Sequence, residues 1–225
     1  MLSADLAVLE TDRWFAAIAP ERRMRLVRNA RVRTLTGGGR VYAVGDPPDG
    51  LYAVLEGDVR LVNHSAAGQE TLALIVAPGA WFGGLSTADG GPRTHDAVAA
   101  ARARVLHVPQ RDFDQAARED LLLHRDLSLL ISAYHRAATT ALTQNLTEPL
   151  AVRLARGLAA AARGRGDDLI RLRQDELAAM HGVSRQTINR ALKRLEAAGL
   201  VAVRYGRVEV LDSGRLRALG RDPVL

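Results

Sequence analysis

The stretch from Gln174 to Glu196, QDELAAMHGVSRQTINRALKRLE, constrains the chain more than any other. It predicts two short helices joined by a tight turn. Asp175 and Glu176 place negative charge in the first turn of the first helix, where the helix dipole favours it. His181-Gly182 ends that helix, glycine being free to adopt a positive φ. Ser184 then stands where an N-cap belongs, its hydroxyl able to accept from an orphan backbone amide. Ile188, Ala191/Leu192 and Leu195 recur at helical spacing and form one apolar stripe. Arg185, Gln186, Asn189 and Arg190 gather at the N-terminal end of the opposite face. Arg suits guanine in a major groove, and Gln and Asn suit adenine. A helical hairpin with an ordinary polar face is the competing interpretation.

Charge favours the DNA-facing one. The chain carries a net charge of +6. Residues 1–147 hold 16 basic and 16 acidic side chains, and residues 148–225 hold 15 and 9, so the whole excess lies with the helix pair. That is the footprint of a polyanionic partner. There is no cysteine. Disulfides, thiolate-held clusters and a cysteine nucleophile are thereby excluded, and a cytoplasmic protein is expected. No apolar run is long enough to span a membrane, and the N-terminus lacks the basic, then apolar, order of a secretory signal. No nucleophile–base set, phosphate loop or metal spacing is visible, so no enzyme is expected. His64, His95 and His107 are scattered rather than spaced as ligands.

Upstream, residues 4–28 predict a helical segment in which Pro20 opens a second short helix. From Arg31 to Val108 the pattern changes to short β segments with turn signals, among them Gly45 to Gly50, a hairpin tip at Asn63–Gly68, and Pro78-Gly79. Strands at such spacing predict a sandwich or roll. Phe113 to about Thr147 predicts one long helix with a heptad-like seam of Leu127, Leu130/Ile131, Tyr134, Ala138, Ala141/Leu142 and Asn145. The seam suggests dimerisation; burial against the β domain is the alternative. Pro149 marks a hinge, Leu150–Ala162 a further helix, Arg163–Asp168 a loop, and LIRL a short strand. After Gly199, LVAVR and RVEVL flank Tyr205-Gly206, a two-residue hairpin turn that makes a wing.

The fold class expected is therefore α+β: an N-terminal β-roll of jelly-roll type (residues 1–112), a dimerisation helix (113–147) and a C-terminal winged helix-turn-helix (148–225). Several motifs now stand together: Gly45-Asp46, Leu51-Tyr52 and Gly57; Trp81-Phe82-Gly83-Gly84-Leu85-Ser86 through Gly91-Pro92-Arg93-Thr94; and Val183 to Leu192. On these the chain resembles the CRP/FNR family of bacterial transcription regulators over nearly its whole length.

The resemblance implies a cytoplasmic homodimer on palindromic double-stranded DNA, with RNA polymerase as a further partner. It also implies a small effector, cyclic AMP or another cyclic nucleotide, in the β-roll. Residues implied at the effector are Gly83, Gly84, Leu85, Ser86, Arg93, Thr94 and, on the long helix, Thr139. Arg93 and Thr94 match the phosphate-binding positions. Gly84 stands where the family's cyclic-nucleotide binders carry a glutamate for the ribose 2′-hydroxyl, and His95 and Asp96 stand where small apolar residues are usual. Arg93 pairing with Asp96 or Asp89 in an empty pocket is the alternative. Arg185 and Arg190 match the family's base-reading arginines, while Gln186 replaces a glutamate. Base contacts are expected from Arg185, Gln186, Asn189 and Arg190. Phosphate contacts, which position but do not specify, are expected from Ser184, Thr187, Lys193, Arg194, Arg204 and Arg207. A sensor or ligand-independent regulator acting mainly through protein contacts is the competing function.

Overall fold

In the computed structural model, residues 3–64, 70–165, 169–170, 174–204 and 206–220 are described. The chain divides into two compact units, Met1–Arg136 and Ala137–Leu225.

The first unit begins with α1 (Ser3–Leu9), α2 (Arg13–Ala17) and α3 (Pro20–Val27). The expectation of two helices here is corrected to three, because Asp12 caps α2. Its carboxylate accepts from the amides of Trp14 and Phe15 at 2.9 and 3.1 Å. The strands are β1 (Arg31–Leu35), β2 (Arg40–Tyr42), β3 (Gly50–Glu56), β4 (Val59–His64), β5 (Glu70–Val76) and β6 (Trp81–Phe82). A helix, α4 (Gly84–Asp89), precedes β7 (Asp96–Ala99) and β8 (Ala103–Pro109). They form two four-stranded sheets, ordered β1-β8-β3-β6 and β2-β7-β4-β5, with antiparallel pairing throughout.

Strand β3 explains the layering. Successive strand side chains point to opposite faces. Tyr52 and Val54 join Val41, Tyr42, Val59, Leu61, Phe82 and Val105 between the sheets. Leu51, Ala53 and Leu55 face the other way and join Leu9, Phe15, Trp81, Phe113, Leu127 and Leu130 under the helices. The strand is therefore apolar on both faces, which is why its sequence runs GLYAVLE without polar alternation.

The expectation of a single helix from Phe113 to Thr147 is also corrected. Two helices occur, α5 (Gln110–Glu119) and α6 (Leu122–Thr147). Asp120 leaves the helical region at φ −146°, and its Oδ1 accepts from the Leu122 amide at 3.1 Å. A short acceptor side chain that binds nearby amides competes with helix continuation. Arg22 and Arg25 fix it there, each 3.0 Å from Oδ2. In α6 the first half of the seam is used within the chain: Leu127 and Leu130 are buried, and the Tyr134 hydroxyl donates to the Trp81 carbonyl. From Ala138 to Leu142 the seam is exposed.

The second unit contains α7 (Leu150–Arg165), β9 (Leu169–Ile170), α8 (Gln174–His181), α9 (Arg185–Ala197), β10 (Val201–Arg204), β11 (Arg207–Val210) and α10 (Ser213–Leu219). Helix α7 extends through Arg165, so Arg163–Arg165, expected in a loop, are helical; residues 166–168 of that loop lie outside the described residues. The strand sequence LIRL is described only at Leu169–Ile170. The wing is present, with Arg204 opposite Arg207 and Val201 opposite Val210. Tyr205 of its turn, and Ser65–Gly68 of the tip expected after His64, lie outside the described residues.

Candidate functional site

In the first unit, the segment from Gly83 to Asp96 brings most of the expected effector residues together. Its centre is Arg93, whose side chain is 1% exposed. Nη2 donates to Asp49 Oδ1 and to the Gly50 carbonyl, both at 2.6 Å, and Nη1 donates to the Gly83 carbonyl at 2.8 Å. The guanidinium carbon lies 4.3 Å from the centre of the Tyr42 ring, a cation–π distance. Nε is buried and without a partner among the described residues. The alternative partners named for Arg93 are thus corrected. Asp96 binds the Val44 amide at 2.7 Å and His64 at 3.0 Å, and Asp89 accepts from the Gly91 amide. The ion-pair partner is Asp49, at the end of the turn before β3.

Asp49 is itself held. The Tyr52 hydroxyl donates to its Oδ2, and His107, stacked on the Tyr52 ring, stands 3.9 Å from the same oxygen. Burial alone would raise the Asp49 carboxyl, but the Tyr52 hydroxyl and the Arg93 guanidinium outweigh it and hold the carboxyl below its ordinary range.

The two glycines have separate reasons. Gly83 has φ +84°, and a Cβ there would come 2.8 Å from Arg93 Nη1. A Cβ on Gly84 would stand 3.2 Å from Leu127 Cδ1 and 3.5 Å from Leu130 Cδ2. Where the resemblance has a glutamate, this chain lets the start of α4 lie directly on the apolar face of α6. Ser86 is buried and donates to the Pro92 carbonyl at 3.1 Å. Leu85 is exposed. Thr139 falls in the second unit, on an exposed part of α6.

Beside this cluster lies a cavity of about 650 Å³ lined by Val44, Leu61, Asn63, His64, Ala73, Thr94 and His95. His64 and His95 were not among the expected site residues. Their separation in sequence gave no signal, and only the pairing of β4 with β7 brings them to one wall. The His95 ring bonds Tyr42 Oη at 2.8 Å and Thr94 Oγ1 at 3.0 Å. Burial and the neighbouring Arg93 charge push its pKa below the usual histidine value.

In the second unit, α8 and α9 meet at Gly182, φ +63°. Ser184 caps α9, its Oγ accepting from the Thr187 amide at 3.2 Å and lying 2.9 Å from Thr187 Oγ1. Both hydroxyls expected at phosphates are therefore engaged with each other. Ile188, Ala191, Leu192 and Leu195 are buried, as the stripe requires. Arg185, Gln186 and Arg190 are exposed together, while Asn189 is half-buried and donates through Nδ2 to Gln174 Oε1 at 3.1 Å. Lys193, Arg194, Arg204 and Arg207 are exposed. Among the described residues none of these cations forms an ion pair.

Residues 32–120 match the cyclic nucleotide-binding domain, and residues 152–219 match the Crp-like helix-turn-helix domain. A cyclic AMP receptor protein from Thermus thermophilus is 31% identical over 91% of this chain and 95% of its own length. A CRP-like cAMP-activated global transcriptional regulator from Mycobacterium tuberculosis is 26% identical over 92% of this chain and 96% of its own. Among solved structures, a transcriptional regulator from Thermus thermophilus superposes with a TM-score of 0.72 at 26% identity, covering 86% of this chain and all of that one.

Proposed function

The chain belongs to the CRP/FNR family of DNA-binding transcription regulators, and we propose that it works as an effector-controlled homodimer on a palindromic operator. It is a regulator rather than an enzyme, with a cyclic-nucleotide-binding-like sensor domain. In this reading residues 1–112 sense, 113–147 join two copies and 148–225 bind DNA. The exposed second half of α6, with Leu142 60% and Leu146 78% exposed, supplies the apolar surface for a second copy. The site of action is the cytoplasm, with RNA polymerase as the partner at the promoter. No helix among the described residues is long and apolar enough to cross a membrane.

The observation that carries the DNA reading is the face of α9. Its N-terminal end presents Arg185, Gln186 and Arg190 to solvent on a helix anchored by Ser184 and a buried stripe. Such a helix enters a major groove with its first residues at the base edges. Arg185 and Arg190 read guanine there. Gln186 both donates and accepts, which suits adenine, where a glutamate could only accept. Asn189 joins them as an acceptor, one amide hydrogen being given to Gln174. Lys193, Arg194, Arg204 and Arg207 hold the phosphates, joined at the helix start by the one hydroxyl hydrogen that the Ser184–Thr187 pair does not spend on itself.

The effector in this reading is cyclic AMP or another cyclic nucleotide in the β-roll, held by Gly83 to Ser86, Arg93 and Thr94. The cyclic AMP receptor protein and the cAMP-activated regulator among its relatives support that class. Gly84 offers no carboxylate to a ribose hydroxyl, a loss of about 1.5–3 kcal/mol for one charge-assisted hydrogen bond. Binding sites selected from a random DNA pool by the wild type and by Gln186→Glu test the readout. One base per half-site is expected to change, and an unchanged consensus would refute the role given to Gln186.

A further inference from the structure

We propose that Asp49 is a specificity-determining residue of the sensor domain: its carboxylate occupies Arg93, so an anionic ligand binds only by displacing it. This rests on reading the β-roll as the effector site.

The donor inventory carries the argument. A guanidinium has five N–H groups. Both on Nη2 are spent, on Asp49 and on the Gly50 carbonyl, and one on Nη1 is spent on Gly83. The face is covered by Tyr42. What remains is one Nη1 hydrogen and the buried Nε, so the two-pronged edge that suits a phosphate is not presented.

The charge is spent as well. The Arg93 side chain is 1% exposed, and its positive charge is matched by Asp49 at 2.6 Å. Among the described residues that line the adjacent cavity no replacement is offered: His64 is engaged by Asp96, and His95 is bonded to Tyr42 and Thr94.

The two partners are unequal in exposure. Arg93 is enclosed, whereas the Asp49 side chain is 45% exposed at the end of a turn. Opening the pair therefore means moving Asp49 into water while the guanidinium stays. An incoming phosphate then competes with an internal carboxylate for the same Nη2 donor, and an uncharged ligand of the same shape does not.

The test is calorimetric titration of the full chain with cyclic AMP, for the wild type, Asp49→Asn and Asp49→Glu. Asp49→Asn keeps an oxygen for Tyr52 and removes the charge; its affinity is expected to rise at least tenfold. Asp49→Glu keeps the charge and is expected to stay close to the wild type. Adenosine, which has no phosphate, serves as the control and is expected to bind both proteins alike. Should Asp49→Asn fail to fold, Tyr52→Phe removes the hydroxyl that anchors the same carboxylate and is expected to give a smaller gain.

Unchanged tight binding in wild type and Asp49→Asn would overturn the competition and leave the effector site standing. Weaker binding in Asp49→Asn would make Asp49 a support that aims Arg93 at phosphate, contrary to the proposal. No binding by either protein would overturn this proposal and the cyclic AMP reading together.

Discussion

Replacing Gly84 by glutamate restores the residue that the family's cyclic-nucleotide binders carry, and the structure sets its cost. The Cβ alone would stand 3.2 Å from Leu127 Cδ1 and 3.5 Å from Leu130 Cδ2, against an optimum of about 3.5–4.0 Å between carbons. Leu127 and Leu130 are 1% and 4% exposed and belong to the core under the helices, so they have little room to retreat. Overpacking of this kind costs about 1–3 kcal/mol. For Gly84→Ala this is partly offset, since alanine has less conformational freedom to lose than glycine. The net expectation is a loss of about 0–2 kcal/mol. Gly84→Glu adds a carboxylate that leaves water against leucine side chains, raising the loss to roughly 3–5 kcal/mol. Urea unfolding followed by tryptophan fluorescence isolates this effect, because both tryptophans, Trp14 and Trp81, lie in the first unit. A lower midpoint with an unchanged slope is expected. If Gly84→Glu matches the wild type within about 1 kcal/mol, α6 does not depend on the glycine and the explanation for the missing glutamate is wrong.

Two further outcomes concern the second unit. Ser184→Ala removes the N-cap of α9 and is expected to cost about 1 kcal/mol, seen as faster hydrogen exchange at the Thr187 amide, with Ser184→Asp retaining protection. His181 is held down to about 4, first by burial and then by the Arg153 charge, from an ordinary value near 6.5. Because the unfolded chain takes the proton first, stability is unaffected above about pH 6.5 and falls as pH drops toward 4. The loss is on the order of 2–3 kcal/mol, and in circular dichroism melts His181→Gln is expected to flatten that part of the pH profile.

What the sequence revealed and what it concealed follow from the range of the interactions. The α8–α9 pair was legible because its signals are local: Gly182 at the turn, Ser184 at the cap, and Ile188 to Leu195 at helical spacing. The roll was legible from its turns. The break at Asp120 was not, because no glycine or proline marks it; an aspartate there ends a helix only when Arg22 and Arg25, about 95 residues away, hold its side chain. The Arg93–Asp49 pair was missed for the same reason. Asp96 and Asp89 are nearer in sequence, but Asp49 is delivered by the turn entering β3. The residue at position 84 showed what was absent, a carboxylate, and not what had replaced it, contact with Leu127.

The central claim is that the exposed end of α9 reads sequence. Fluorescence anisotropy of Arg185→Ala, on a selected operator and on random duplex, tests it most directly. A loss of about 1–3 kcal/mol on the operator, with random DNA little affected, is the expected result. Equal weakening on both duplexes would reduce Arg185 to a phosphate contact and contradict the assignment.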